Sequence, residues 1–189
     1  MVCNLSKIMS EIHFTYIDII KFFAYYISEV YCTQTRRERM SICSFFGHRK
    51  VDNIEELIDR LTLTIKKVLD EGVRTFYFGG FGEFDDLCWR VVSEFKKEYD
   101  DIERVFCLSD ERHLRASKRP LWLKDEDYER FVYLDISFDW WYQRIYYRNI
   151  EMINQSSIVI FFAKEQENSG AYKALKYAIK KKKRYINLV

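Results

Sequence analysis

The sequence predicts a three-layer α/β domain over residues 40–189, with an open, mostly parallel five-stranded sheet, helices on both faces and an aromatic insert after the third strand. Three observations carry this. Short apolar runs alternate with segments of helical periodicity from residue 41 onward. The runs are continuous rather than alternating, as expected of strands covered on both faces. The order β-α-β-α-β-insert-α-β-α-β then calls for crossover connections and hence parallel strands.

Residues 41–46 (SICSFF) read as the first strand, ending at Gly47-His48-Arg49. Residues 53–71 place Ile54, Leu57, Ile58, Leu61, Ile65, Val68 and Leu69 at helical spacing, and Gly72 stops the helix. Residues 74–78 (RTFYF) form the second strand, followed by the turn Gly79-Gly80-Phe81-Gly82. A helix over about 84–99 leads to the third strand, 102–108. Residues 109–141 are charged and hold the single proline and three of the four tryptophans; loops beyond about 12–15 residues are usually functional or partly structured. The pattern resumes with a helix at 142–155, a strand at 157–162 (SIVIFF), a polar loop at 163–169, a helix at 170–183 and a last strand at 184–188.

Composition narrows the function classes. The 189 residues fit one domain plus an appendage. The net charge is +2, with 31 basic and 29 acidic residues interspersed, so no basic stripe for nucleic acid is evident. The run Lys180-Lys181-Lys182-Lys183-Arg184 complements the negative end of a helix. The five cysteines form no C-x-x-C pair, which indicates neither a zinc site nor a redox pair; buried reduced thiols in a bacterial cytoplasm are expected. The apolar stretch 16–31 is interrupted by Asp18, Lys21 and Glu29, so an amphipathic helix is expected there and no membrane span. Residues 1–39 are read as a helical extension or as an upstream-start artefact, with translation expected to begin at Met40.

In an open parallel sheet the ligand crevice lies beyond the carboxyl ends of the strands. That rule selects Gly47, His48 and Arg49; Gly79, Gly80, Phe81, Gly82, Glu83, Phe84 and Asp85; and Ala163 through Gly170, of which Ser169 and Gly170 are taken as candidate ligand residues. The glycine turn opens a helix, whose first N–H groups favour anions, so it is read as a phosphate cradle or as a plain tight turn. Glu83 and Asp85 are read as helix caps, or, if they face the crevice, as ribose ligands, metal ligands or a general base. Arg49 and Arg148 offer guanidinium forks to phosphate, and Asn149 bonds the ligand or pins the insert. Val at position 82 is expected to abolish binding in a folded protein.

The strings Phe46-Gly47-His48-Arg49, Gly79-x-x-Gly82-x-Phe84-Asp85, Arg148-Asn149-x-x-Met152-Ile153 and Ser169-Gly170-Ala171, in this order, resemble the YpsA-like branch of the SLOG superfamily over residues 40–189. The resemblance implies a Rossmann-like fold and a nucleotide or nucleotide-derived ligand. Some relatives, the LOG enzymes, cleave nucleoside monophosphates at the N-glycosidic bond. Their Pro-Gly-Gly-x-Gly-Thr-x-x-Glu motif is not reproduced, since Phe78, Glu83 and Asp86 stand at the proline, threonine and glutamate positions. The leading expectation is a sensor or regulatory module binding such a ligand, with no metal and no cofactor identified. Two alternatives stand beside it. One is a hydrolase of an N-glycosidic or phosphate bond using Glu83 or Asp85. The other is a protein-interaction module with a degenerate pocket, presenting Trp122, Trp140, Trp141, Tyr142, Tyr146 and Tyr147 to a partner or a second copy.

Overall fold

The computed structural model describes residues 42–134, 141–165 and 169–189, the side chains of 141 and 142 excepted. The chain divides into two units, Met1–Glu38 and Arg39–Val189, and the first lies outside the described residues, as do Trp140 and the side chains of Trp141 and Tyr142.

The second unit runs β1 (Ile42–Gly47), α1 (Ile54–Asp70), β2 (Thr75–Phe78), α2 (Glu83–Lys96), β3 (Glu103–Leu108), β4 (Arg130–Tyr133), α3 (Trp141–Gln155), β5 (Ile158–Phe162), α4 (Gly170–Lys180) and β6 (Arg184–Asn187). The strands lie in the order β4-β3-β2-β1-β5-β6, and every pairing is parallel. The sheet therefore has six strands rather than the expected five. The sixth, β4, comes from the insert, where Arg130, Phe131, Val132 and Tyr133 pair with Val105 through Leu108. Ahead of it lie three single 3₁₀ turns, at Glu111–Leu114, Ala116–Lys118 and Asp125–Asp127.

The period-2 geometry of the strands splits the core into two layers. Phe45, Phe76, Phe78, Ile158 and Ile160 face α1 and α2, meeting Leu61, Ile65, Val68, Leu87 and Val92. Phe46, Tyr77, Val159 and Phe161 face α3 and α4, meeting Met152, Ile153, Ala171, Ala174 and Ala178. The alanines bring α4 close to the sheet. Each fully buried Phe or Ile stabilises the fold by roughly 1.5–3 kcal/mol, and β5 is buried along its whole length. Helix α4 ends at Lys180, before the residue 183 read from the sequence, because Lys182 turns left-handed at φ 53° and sends the chain into β6.

Among the insert's described aromatics, Tyr128 and Phe131 pack against the first core layer. Tyr128 meets Phe106 at 5.1 Å, Phe131 at 5.8 Å and Phe78 at 5.9 Å between ring centroids. The Trp89 indole N–H donates to the Asp127 carbonyl at 2.9 Å, and Arg119 lies 3.7 Å from the Phe131 ring centroid. Leu121 and Trp122 stay exposed. Among the described residues no helix is long and apolar enough to cross a membrane.

Candidate functional site

The chain leaves β1 toward β2 on one side and leaves β5 toward β6 on the other, so the connections diverge where β1 and β5 lie side by side. This is the switch point at which open α/β sheets carry their crevice. A cavity of about 680 Å³ opens there, within the size range of small-molecule sites, about 300–1,000 Å³. Of the twelve candidate ligand residues read from the sequence, nine line it: Gly47, His48, Arg49, Gly79, Asp85, Arg148, Asn149, Ser169 and Gly170. Gly80, Gly82 and Glu83 stand off the lining.

The glycine turn is shaped by packing. Gly80 has φ 71°, and a Cβ there would sit 2.5 Å from the Phe106 ring. Gly82 has φ 101°, and its Cβ would sit 2.6 Å from the Arg49 Cα. Both are conformations and contacts that side chains rarely tolerate. One N–H group of the turn is also engaged. Asp85, in the first turn of α2, reaches back so that its carboxylate accepts from the Phe81 N–H at 2.8 Å. An internal carboxylate thus takes a donor that a phosphate cradle would use, and its own negative charge faces the turn. Glu83 turns the other way, its Oε2 accepting from the Val51 N–H at 2.8 Å, while its own N–H donates to the Arg49 carbonyl. It fixes the loop after β1.

Asp85 is 8% exposed. Burial pushes its pKa up to about 6, against the opposing pull of the Phe81 N–H and the Arg148 charge. Arg148 is buried on α3, and desolvation lowers its pKa. Its Nη1 donates to the carbonyls of Gly79 (2.9 Å) and Cys107 (3.3 Å), and its Nε and Nη2 to Asn149 Oδ1 at 3.2 and 2.9 Å. These bonds use four of its five N–H donors. Arg148 therefore ties the ends of β2 and β3 to α3, and it offers the cavity at most one donor. Asn149 orients that guanidinium through the same oxygen.

The β1–β5 side is built around His48. Its Nε2 accepts from the Lys164 N–H at 2.8 Å, which places the ring proton on Nδ1, facing Ser169 Oγ at 3.2 Å. Ser169 caps α4, its Oγ accepting from the Tyr172 N–H at 3.4 Å. The histidine thereby links the loop after β1 to the loop after β5 and to the start of α4. Asn187 fixes the same loop by a paired bond to the N–H and C=O of Ala163, 3.1 Å each. Arg49, Lys50 and Lys164 bring three cations to the lining, with Lys164 pairing Asp52 at 3.1 Å.

The strand-end rule also took in Phe81 and Lys164, and both line the cavity. Sequence reasoning did not single out Lys50, Asp52 or Asn187; Asn187 was beyond that rule, since only the pairing of β6 brings it there. Among the described residues no group of three or more His, Cys, Asp or Glu is arranged to hold a metal ion.

No protein-family model matches the sequence, and no curated protein matches it. Among solved structures, the chain is similar to DNA processing protein A (DprA) from Streptococcus pneumoniae, with a TM-score of 0.55 and 11% identity over 78% of this chain. The match covers 50% of that chain, so this protein corresponds to about half of it. The likeness shows the fold alone, a Rossmann-like α/β domain.

Proposed function

We propose that this domain, a member of the YpsA-like branch of SLOG proteins, binds a nucleotide or nucleotide-derived ligand in the switch-point cavity and acts as a sensor or regulatory module. The observation that carries the reading is the placement of the cavity. It lies between the carboxyl ends of β1 and β5, and His48, Arg49, Lys50, Lys164 and the first turn of α4 gather on its lining. Helix N-termini with adjacent cations favour phosphate. The glycine turn, its Phe81 N–H engaged by the Asp85 carboxylate, is the less suitable phosphate site. The phosphate is therefore assigned to the β5–α4 side. DprA is named for DNA processing; here the interspersed charges and net +2 support a small ligand rather than a polynucleotide.

Calorimetric titration with a panel of nucleoside monophosphates, diphosphates and dinucleotides tests the reading. Saturable one-to-one binding is expected, and no heat with any member refutes it. A second reading, hydrolysis of an N-glycosidic or phosphate bond, is favoured by one observation: Asp85 lines the cavity with a pKa raised to about 6, suited to a general acid or base near neutral pH. Mass spectrometry of the same mixtures detects a free base or a released phosphate if that reading holds.

A further inference from the structure

We infer that Phe81 is the stacking platform for the base of the bound nucleotide, which sets the ligand's direction across the cavity. The inference rests on the nucleotide reading above. Phe81 is the one side chain in the glycine turn, yet it is 43% exposed and lies on the cavity lining. The Arg148 guanidinium sits 5.4 Å from its ring centroid, and that guanidinium is fixed by the Gly79, Cys107 and Asn149 bonds. The Phe81 N–H is held by Asp85 at 2.8 Å, and the glycines on either side have φ of 71° and 101°. The ring is thus anchored at its backbone and backed by a buried cation, while much of its surface remains accessible.

A planar heteroaromatic ring completes such a site. Stacking on an aromatic side chain tolerates any base, because every base has a π-face, and a guanidinium adds to it. A ligand of sugar and phosphate alone would leave the Phe81 surface in water. Topology separates the two ends of the ligand. Phe81 follows β2, the cations and the α4 terminus belong to the loops after β1 and β5, and β1 lies between β2 and β5. The base therefore lies toward β2 and α2, and the phosphate toward β5 and α4.

The test titrates the full chain, and its Phe81→Ala, Phe81→Leu and Phe81→Trp variants, with the four ribonucleoside monophosphates. Ribose 5-phosphate, which keeps the sugar and phosphate but lacks the base, is titrated beside them. Circular dichroism checks each variant's fold, and Phe81→Leu, which keeps apolar bulk without a π-face, stands in should the alanine variant unfold. Loss of a base–aromatic stack weakens binding by about 5- to 150-fold. That loss is expected for the nucleotide bound best, with ribose 5-phosphate affinity unchanged within about twofold and Phe81→Trp close to the parent. Nucleotide affinity unchanged in both Phe81→Ala and Phe81→Leu, or an equal loss for nucleotide and ribose 5-phosphate, overturns the platform while the nucleotide reading stands. A parent protein that binds no nucleotide overturns the reading itself, and the platform with it.

Discussion

Asp85→Asn isolates the cost of burying a carboxylate at the cavity. Desolvation raises the folded-state pKa of Asp85 to about 6, whereas an unfolded chain ionises Asp near its ordinary value of about 3.9. The sign follows from linkage. Between these values the unfolded state has released its proton and the folded state has kept it, so stability is greatest below about pH 4 and falls as pH rises through about 6. A gap of about two units corresponds to roughly 3 kcal/mol over the whole titration, of which about 2 kcal/mol falls between pH 4 and pH 7. Asparagine keeps an oxygen that can accept from the Phe81 N–H and carries no charge to desolvate. Urea denaturation of parent and variant at half-unit steps across that range gives the difference in unfolding free energy, and carboxylates common to both proteins, such as Asp110, largely cancel. The difference should move in favour of the variant by about 2 kcal/mol from pH 4 to pH 7. A pH-independent difference, or one that moves against the variant, would refute the burial argument.

Three further outcomes follow. Arg148→Ala strips the Gly79 and Cys107 carbonyls of a buried donor and should destabilise the fold by roughly 2–5 kcal/mol, with Arg148→Lys intermediate; a melting temperature unchanged in the alanine variant would contradict a structural role. Gly82→Val places a branched side chain at φ 101° against the Arg49 backbone, so it should lower stability by at least about 1–3 kcal/mol as well as disturb the cavity. This revises the expectation of a folded, binding-deficient variant, and chemical denaturation distinguishes the two. The thiols of Cys43, Cys88 and Cys107 are fully buried, which raises their pKa, so in the native protein they should resist iodoacetamide under conditions that label all five cysteines of the unfolded chain.

Much of the fold was legible because its strands are continuous apolar runs and its helices keep a clean apolar stripe. The missing strand, Arg130–Tyr133, has only four residues at the sheet's edge and sits in a charged segment. Its pairing with β3, not its own pattern, makes it a strand. The strand-end rule found most of the cavity lining, since parallel topology alone brings those loops together. Hydrogen-bond assignments within the loops were not legible. Asp85 reads foremost as a cap, and otherwise as a ribose ligand or a base, until the Phe81 N–H is seen to point at it. For Arg148 a signal was present: Ile145, Arg148 and Met152 stand at helical spacing, which turns the arginine toward the sheet with the buried methionine.

The central claim, that the β5–α4 side of the cavity receives the ligand's phosphate, is tested most directly by Gly170→Glu. Gly170 lies on the lining at the first position of α4, and a Cβ there meets nothing within 4 Å. A glutamate there suits the positive end of the helix and replaces a poor helix former, so the fold should be as stable as the parent's or up to about 1 kcal/mol more so. The same charge repels a phosphate at that turn. Calorimetric titration with the nucleotide bound best by the parent should show at least about a tenfold loss of affinity, or about 1.4 kcal/mol, in a variant that melts no earlier. A Gly170→Glu protein that is fully folded and binds that nucleotide as tightly as the parent would contradict the account.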